Sequence, residues 1–336
     1  MANAEPDLDR IWKTFTAYQR TAALKAAVEL DVFTAIAAGA TTIDALAGRC
    51  GAAPRGLRAL LNHLVMDHLL TRDGDRYGLS ATAAAFLDRS QPTYLGSAVS
   101  FIASPSVMEG FGRLTDAVRR GGTAIPGGGG VAPEHPMWVE FARAMAPLAG
   151  MASALLANLL DVEHAPAWKV LDVAAGHGLF GITLARMNPK LHVTALDWPN
   201  VLTVARDNAR AAGVAERFDP LPGSAFDVPF GGPYDVILLP NILHHFDQSA
   251  CERLLKKVHG ALVPGGRVVI VEFVPDDDRS GPPDAVRFAL VMLAGTPAGD
   301  AYTFGEYRTM LAHAGFGSPS LHELAPSPAR VVIAGR

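Results

Sequence analysis

Three glycines spaced Gly176-x-Gly178-x-x-Gly181 follow the run Leu171-Asp172-Val173 in this chain of 336 residues and open a helical stretch. Small side chains in such a turn let a nucleotide-like ligand touch the backbone and meet the N–H groups of a helix start. Asp197 stands at the end of the next β-prone run, where a carboxylate can accept the hydroxyls of a ribose. Read literally, this spacing permits a nicotinamide-dependent oxidoreductase, although the chain has no Tyr-x-x-x-Lys pair to serve one. Three features point elsewhere. Asp172 lies in the approach to the turn, the motif begins halfway along the chain, and a polar loop, Gly223-Ser224-Ala225-Phe226, follows the third strand. A further reactive group, His244, comes after the run Tyr234–Leu239, and strand ends of an α/β sheet face the ligand crevice. A histidine with pKa near ~6.5 is suited to accept a proton at neutral pH.

The elements that must position these residues alternate. Lys169–Val173, His192–Leu196, Tyr234–Leu239, Arg267–Phe273 and Arg330–Ala334 are β-prone and separated by helical stretches, which implies a parallel sheet with helices on both faces. Upstream, apolar residues recur at helical spacing from Trp12 to Ala37, an amphipathic surface with few charges that needs a partner. Thr41-Thr42-Ile43-Asp44 starts a capped helix, and a Cys-Gly turn leads to a second helix beginning at Pro54. The runs around Asp73-Gly74-Asp75 form a hairpin, so these pieces make a winged helix. Its second helix offers only Arg55 and Arg58, too little to neutralise phosphates, so protein–protein packing is favoured over a DNA-binding regulator. The stretch Gly121 to Gly130 reads as a mobile loop or linker near the domain boundary.

Composition narrows the class. Hydrophobic residues make up 49% and charged residues 18%, a globular balance, and a net charge of −4 leaves no footprint for nucleic acid. The acidic N-terminus has no basic region leading into an apolar one, and no uninterrupted apolar run reaches membrane length. A cytoplasmic protein with no membrane partner is expected. Cys50 and Cys251, one in each domain, suggest neither a disulfide nor a metal site.

Asp172 to Gly178, Leu196-Asp197-Trp198-Pro199, Gly223 to Phe226 and Leu243-His244-His245-Phe246 together resemble the small-molecule O-methyltransferase family, plant caffeate- and acetylserotonin-type enzymes and bacterial natural-product enzymes alike. The likeness covers nearly the whole chain. It implies an α/β fold: a Rossmann-like class I methyltransferase domain with a seven-stranded sheet over residues 126–336. A mostly α winged-helix domain over residues 1–125 would precede it and pair two chains into a homodimer. The implied cofactor is S-adenosylmethionine, with S-adenosylhomocysteine as product. By this resemblance Asp172, Ala174, Gly176 and Gly178 form the cofactor turn, with Ala174 and Ala175 standing where the family usually has glycine. Asp197 takes the ribose and Trp198 lies against the adenine. Gly223, Ser224 (where the family usually has Asp) and Phe226 surround the base, and Pro240 and Asn241 replace a common Lys near the sulfonium or amino group.

The resemblance makes His244 the general base that takes a proton from the acceptor's hydroxyl and Glu272 the carboxylate that orients it. A second family carboxylate is replaced by Ala301, which leaves C- or N-methylation open as an alternative. His245 stands where plant relatives usually have Asp. Adjacent side chains point in different directions, so His244 and His245 are expected not to share one proton or metal. No catalytic metal is expected. The acceptor, a small aromatic or polyketide-like metabolite, would be contacted by Phe141, Met145, His245, Phe288 and Met292.

Overall fold

The computed structural model describes residues 6–131 and 134–336. The chain divides into two compact units, one ending at Pro105 and one spanning Ser106–Arg336, so the division falls ahead of the glycine-rich stretch.

In the first unit, Thr42 accepts a hydrogen bond from the Ala45 N–H and starts the helix Ile43–Cys50, which Gly51 ends in the left-handed conformation at φ +61°. Pro54 opens the next helix, Pro54–Met66. Strands β1 (Leu70–Asp73) and β2 (Arg76–Leu79) then pair antiparallel as the wing. The wing is tied down at Tyr77, whose N–H donates to the Thr41 carbonyl and whose hydroxyl donates to Asn62 Oδ1. Leu46, Leu57, Leu61 and Leu64 fill the core of this unit together with Val28, Val32 and Phe33. Helix Leu8–Phe15 buries nothing, and Leu8, Trp12 and Phe15 are 80%, 64% and 67% exposed.

The second unit is built on one sheet: β3 (Lys169–Val173), β4 (His192–Asp197), β5 (Phe218–Pro222), β6 (Tyr234–Pro240), β7 (Leu262–Glu272), β8 (Gly317–Glu323) and β9 (Arg330–Gly335), in the order β5-β4-β3-β6-β7-β9-β8. The expected parallel sheet is therefore mixed, because β9 inserts antiparallel between β7 and β8. Period-two alternation sends neighbouring side chains to opposite faces. Val170, Val236 and Leu238 pack under the helices Met137–Leu159, Leu179–Met187 and Pro199–Ala211. Leu171, Val173, Ile237 and Leu239 pack under Gln248–Ala261 and Phe304–His313. The strand order reverses between β3 and β6, which opens a crevice at their carboxyl ends.

Two elements bear on that crevice. Met137–Leu159 is, among the described residues, the helix long and apolar enough to cross a membrane, yet Ala152, Leu156 and Ala157 are buried in the sheet's core and Pro147 lies within it. The glycine-rich stretch, expected to be mobile, is docked instead. Thr123 donates its hydroxyl to the Ala294 carbonyl at 2.6 Å and its N–H to the Thr296 carbonyl at 2.8 Å. A Cβ on Gly122 or Gly129 would overlap the carbonyls of Pro297 and Gly295. The glycines thus permit close approach to the end of helix Pro283–Gly295.

Candidate active site

At the end of β3, the chain turns through Ala174 and Gly176, both with positive φ, and enters helix Leu179–Met187 at Gly178. A Cβ on Gly178 would stand 3.0 Å from Ala205 Cβ and 3.0 Å from Phe218 Cζ, and one on Gly181 would stand 2.6 Å from Val193 Cγ1. Gly181 is therefore a packing glycine that lets the helix lie on the sheet, whereas a Cβ on Gly176 would meet only the Ala174 carbonyl oxygen, at 3.9 Å. Two side chains brace the turn: Asn208, outside the motif, donates to the His177 carbonyl at 2.8 Å, and His177 Nδ1, within it, accepts from the Leu179 N–H at 3.1 Å. Burial holds the His177 imidazole down to about 4, so it stays neutral and can accept.

Two carboxylates flank the turn. Asp172 is fully buried; its Oδ2 accepts from the Gly181 N–H at 3.0 Å, while Oδ1 has no partner. Burial, with the charge of Asp197 adding to it, pushes Asp172 up to about 7 against the pull of the Gly181 hydrogen bond. Asp197, at the end of β4, accepts from the Gly176 N–H at 2.7 Å and the Trp198 N–H at 2.6 Å. Burial pushes it up to about 6. Trp198 packs beside Ala142, Val201 and Val204, in the same small cluster as Trp138.

Gly223 donates its N–H to the Asp197 carbonyl, so the loop after β5 lies against the end of β4. Ser224 Oγ accepts from the Phe226 N–H at 3.1 Å, which employs the hydroxyl in shaping its own loop. The Phe226 ring meets Phe246 edge-on at 4.9 Å. Sequence reasoning missed Lys257, which looks like a solvated helix residue. Its ammonium donates to the carbonyls of Ala225, Phe226 and Val228 at 2.9, 3.0 and 2.6 Å and sits 4.4 Å over the Phe230 ring.

At the ends of β6 and β7, Pro240 pairs with Val271, Asn241 turns with φ +55°, and Leu243–His245 forms a single 3-10 turn. Glu272 is 1% exposed. Its Oε1 accepts from the N–H groups of Leu243 and His244, at 3.0 and 3.4 Å, and its Oε2 lies 2.6 Å from His244 Nδ1. The carboxylate thus fixes the proton of His244 on Nδ1 and leaves Nε2 as the basic nitrogen.

The expectation that the two histidines are independent is overturned. The tight turn brings their rings to 4.2 Å between centroids and their Nε2 atoms to 3.1 Å. Trp138 meets His245 edge-on at 5.2 Å, and Phe288 meets His244 at 4.8 Å while stacking on Phe273 at 4.3 Å. Phe141 touches Trp138 at 6.0 Å, Met145 is half-buried on the same helix, and Met292 is buried on the helix that carries Phe288. Ala301, in the place of a second carboxylate, is buried, and its carbonyl accepts from Arg279 at 2.9 Å.

Comparison with known proteins agrees with this geometry. The O-methyltransferase domain family matches residues 132–317, and the O-methyltransferase dimerisation domain matches residues 12–89. A 3-hydroxy-5-methyl-1-naphthoate 3-O-methyltransferase of Streptomyces sahachiroi is 34% identical over 97% of this chain and 92% of its own length. A tetracenomycin polyketide synthesis 8-O-methyl transferase of Streptomyces glaucescens is 32% identical over 89% and 88%. A crystal structure of a protein from Nostoc punctiforme PCC 73102 superposes with a TM-score of 0.94 at 47% identity, covering 98% of this chain and 100% of that one. Human N-acetylserotonin methyltransferase in complex with S-adenosylmethionine shares the fold, with a TM-score of 0.85 at 24% identity over 100% and 99%. The nicotinamide and DNA-regulator readings give way, and the chain belongs to the S-adenosylmethionine-dependent O-methyltransferases that carry an N-terminal dimerisation domain.

Proposed function

We infer that this enzyme methylates a hydroxyl of a small, largely apolar aromatic or polyketide-like metabolite, with His244 as the base on which the proton comes to rest. The observation that carries the reading is the buried 2.6 Å contact between His244 Nδ1 and Glu272 Oε2, at strand ends and beside Phe288. Glu272 spends one oxygen on two backbone N–H groups, so its other oxygen is aimed at the imidazole. An imidazolium formed there is stabilised by a carboxylate in a desolvated setting. The aromatic surroundings, Trp138, Phe141, Phe273 and Phe288, suit a flat acceptor and exclude water from it. The relatives from Streptomyces, named for a naphthoate and a polyketide, support that class.

The residues of the cofactor turn suit S-adenosylmethionine. Gly176 leaves room at the backbone, Asp197 retains lone pairs for ribose hydroxyls, and the unpaired Asp172 Oδ1 can take a donor from the amino acid end. Phe226, against Phe246, and Trp198, beside Val201, would flank an adenine, and Pro240 and Asn241 stand at the end of β6. Bound there, the cofactor supplies an activated methyl group for in-line displacement, and the chain contributes alignment and deprotonation. The exposed Leu8, Ile11, Trp12, Phe15 and Tyr18 fit pairing into a homodimer. His244→Ala is expected to lower turnover by about 100-fold or more while S-adenosylhomocysteine affinity, read by calorimetry, stays within twofold. An unchanged rate would remove His244 from the chemistry.

A further inference from the structure

Both nitrogens of His244 are engaged: Nδ1 faces Glu272 at 2.6 Å, and Nε2 faces His245 Nε2 at 3.1 Å. Two facing imidazole nitrogens need one proton between them. With His244 neutral and protonated on Nδ1, that proton belongs to His245 Nε2. His245 is then the donor, and its Nδ1 carries a lone pair. That Nδ1 is buried and has no hydrogen-bond partner. It is the one unpaired nitrogen of the series Glu272, His244, His245, and the pair meets Trp138 of helix Met137–Leu159 and Phe288 of helix Pro283–Gly295.

We propose that His245 is the residue that meets the acceptor: its Nδ1 takes the proton of the acceptor's hydroxyl while its Nε2 proton passes to His244 Nε2. This rests on the proposed hydroxyl methylation with His244 as base, and deepens it. The acceptor O–H bond breaks and an N–H bond forms at His245 Nδ1. The N–H bond at His245 Nε2 breaks and one forms at His244 Nε2. The acceptor oxygen is left with its electron pair for the methyl group. One positive charge appears, on His244, next to the Glu272 carboxylate. His245 is neutral before and after, having exchanged one tautomer for the other, and the 3.1 Å contact survives with donor and acceptor reversed. When product leaves, the chain resets by the reverse transfer, to a water that takes the acceptor's place at His245 Nδ1.

The division of labour follows from the surroundings. Burial, and then the neighbouring His244, hold His245 well below the ordinary histidine range, so it cannot keep a second proton. Among the described residues, the polar partner of its ring is His244, and Trp138 and Phe246 meet it edge-on. His244 has a buried carboxylate at hydrogen-bond distance and can keep the charge. A proton entering at His245 therefore runs to the place that stabilises it.

The test pairs a spectroscopic with a kinetic measurement on the full-length enzyme bound to S-adenosylhomocysteine. Nitrogen-15 NMR of the imidazoles should show His244 protonated on Nδ1 and His245 protonated on Nε2; a His245 protonated on Nδ1 in this state overturns the proposal. Turnover is then followed with whichever of a hydroxynaphthoate, a hydroxybenzoate and a hydroxyanthraquinone reacts fastest. His245→Gln keeps a donor toward His244 but cannot relay a proton, and kcat should fall roughly 100-fold. His244→Ala should fall as far, and the double variant no further, as for residues that act as one unit. S-adenosylhomocysteine affinity should hold within twofold in all three. If His245→Gln retains more than a tenth of the rate while His244→Ala is inactive, the relay is wrong and His244 meets the acceptor itself. If both variants keep the rate, the reading of His244 as base fails as well.

Discussion

Replacing Asp172 by Asn should change the sign of its effect on stability between acid and alkaline pH. The carboxyl is fully buried at the end of β3, with one oxygen on the Gly181 N–H and the other unpaired. Burial raises it from 3.8 to about 7 in the folded chain. A folded-state value above the unfolded one means that stability is fully present below pH 4 and is lost as pH rises toward 7. At about 1.36 kcal/mol per pH unit, the ionised carboxylate costs roughly 4 kcal/mol once pH exceeds 7. Asn keeps an acceptor for Gly181 and never ionises, but its amide N–H groups replace the unpaired oxygen and cost about 1–3 kcal/mol when buried without acceptors. The balance is a stabilisation of about 1–3 kcal/mol at pH 8.5 and a destabilisation of similar size at about pH 3.5, where the carboxyl is protonated in both the folded and the unfolded chain. At roughly 2–4 °C per kcal/mol, calorimetric unfolding of the ligand-free protein should resolve both shifts. A change of the same sign and size at both pH values would refute the buried, neutralisable carboxyl. The stabilised variant should also bind S-adenosylmethionine more weakly, since the native charge is retained at a cost in stability for a ligand that carries the opposite one.

Asp197 is raised to about 6, and only its ionised form offers acceptors to both ribose hydroxyls. S-adenosylhomocysteine affinity should therefore be level above pH 7 and fall by about tenfold per pH unit well below pH 6, and Asp197→Asn should bind weakly without that slope in calorimetric titrations. Lys257→Met removes the three carbonyl contacts that hold the loop Gly223 to Val228. Cofactor affinity should drop about tenfold, as for the loss of about 1.4 kcal/mol, with the melting temperature little changed; an undiminished affinity would show that the loop holds its shape unaided. A Cβ on Gly299 would overlap the His244 carbonyl and press on His245. Gly299→Ala should thus lower kcat by about tenfold or more through displacement of the proton-accepting pair, with S-adenosylhomocysteine binding intact.

How much of this was legible in the sequence depended on whether the signal was local. The Thr42 cap, the Gly51 stop, Pro54 and the β1–β2 hairpin each carry their own chemistry, and all lie where their residues put them. The central strands were legible because both their faces are buried, as the apolar runs of β3 and β6 show. The edge strands were not. β5 contains Pro220 and Pro222 and exposes most of its length, and β8, Gly-Ser-Pro-Ser-Leu-His-Glu, has little to bury. The glycine-rich stretch misled because glycine permits both mobility and close packing, and Thr123 decides for packing through bonds to residues that are 171 and 173 positions away.

The site shows the same limit at finer scale. His244 and Glu272 are 28 residues apart, but one follows the end of β6 and the other ends the neighbouring β7, so sheet order brings them together. His245 defeated the rule that adjacent side chains diverge, since that rule describes strands and not a 3-10 turn that ends in an extended residue. In that turn the second imidazole folds back onto the first. A pair of residues that looks redundant in sequence becomes, with Glu272, a chain of three groups that ends in the buried, unpaired Nδ1 of His245. The turn needs room for two rings and a backbone neighbour without a side chain, and Gly299 supplies the latter. The His244–His245 turn is thus shaped in part from a segment 55 residues downstream of His244.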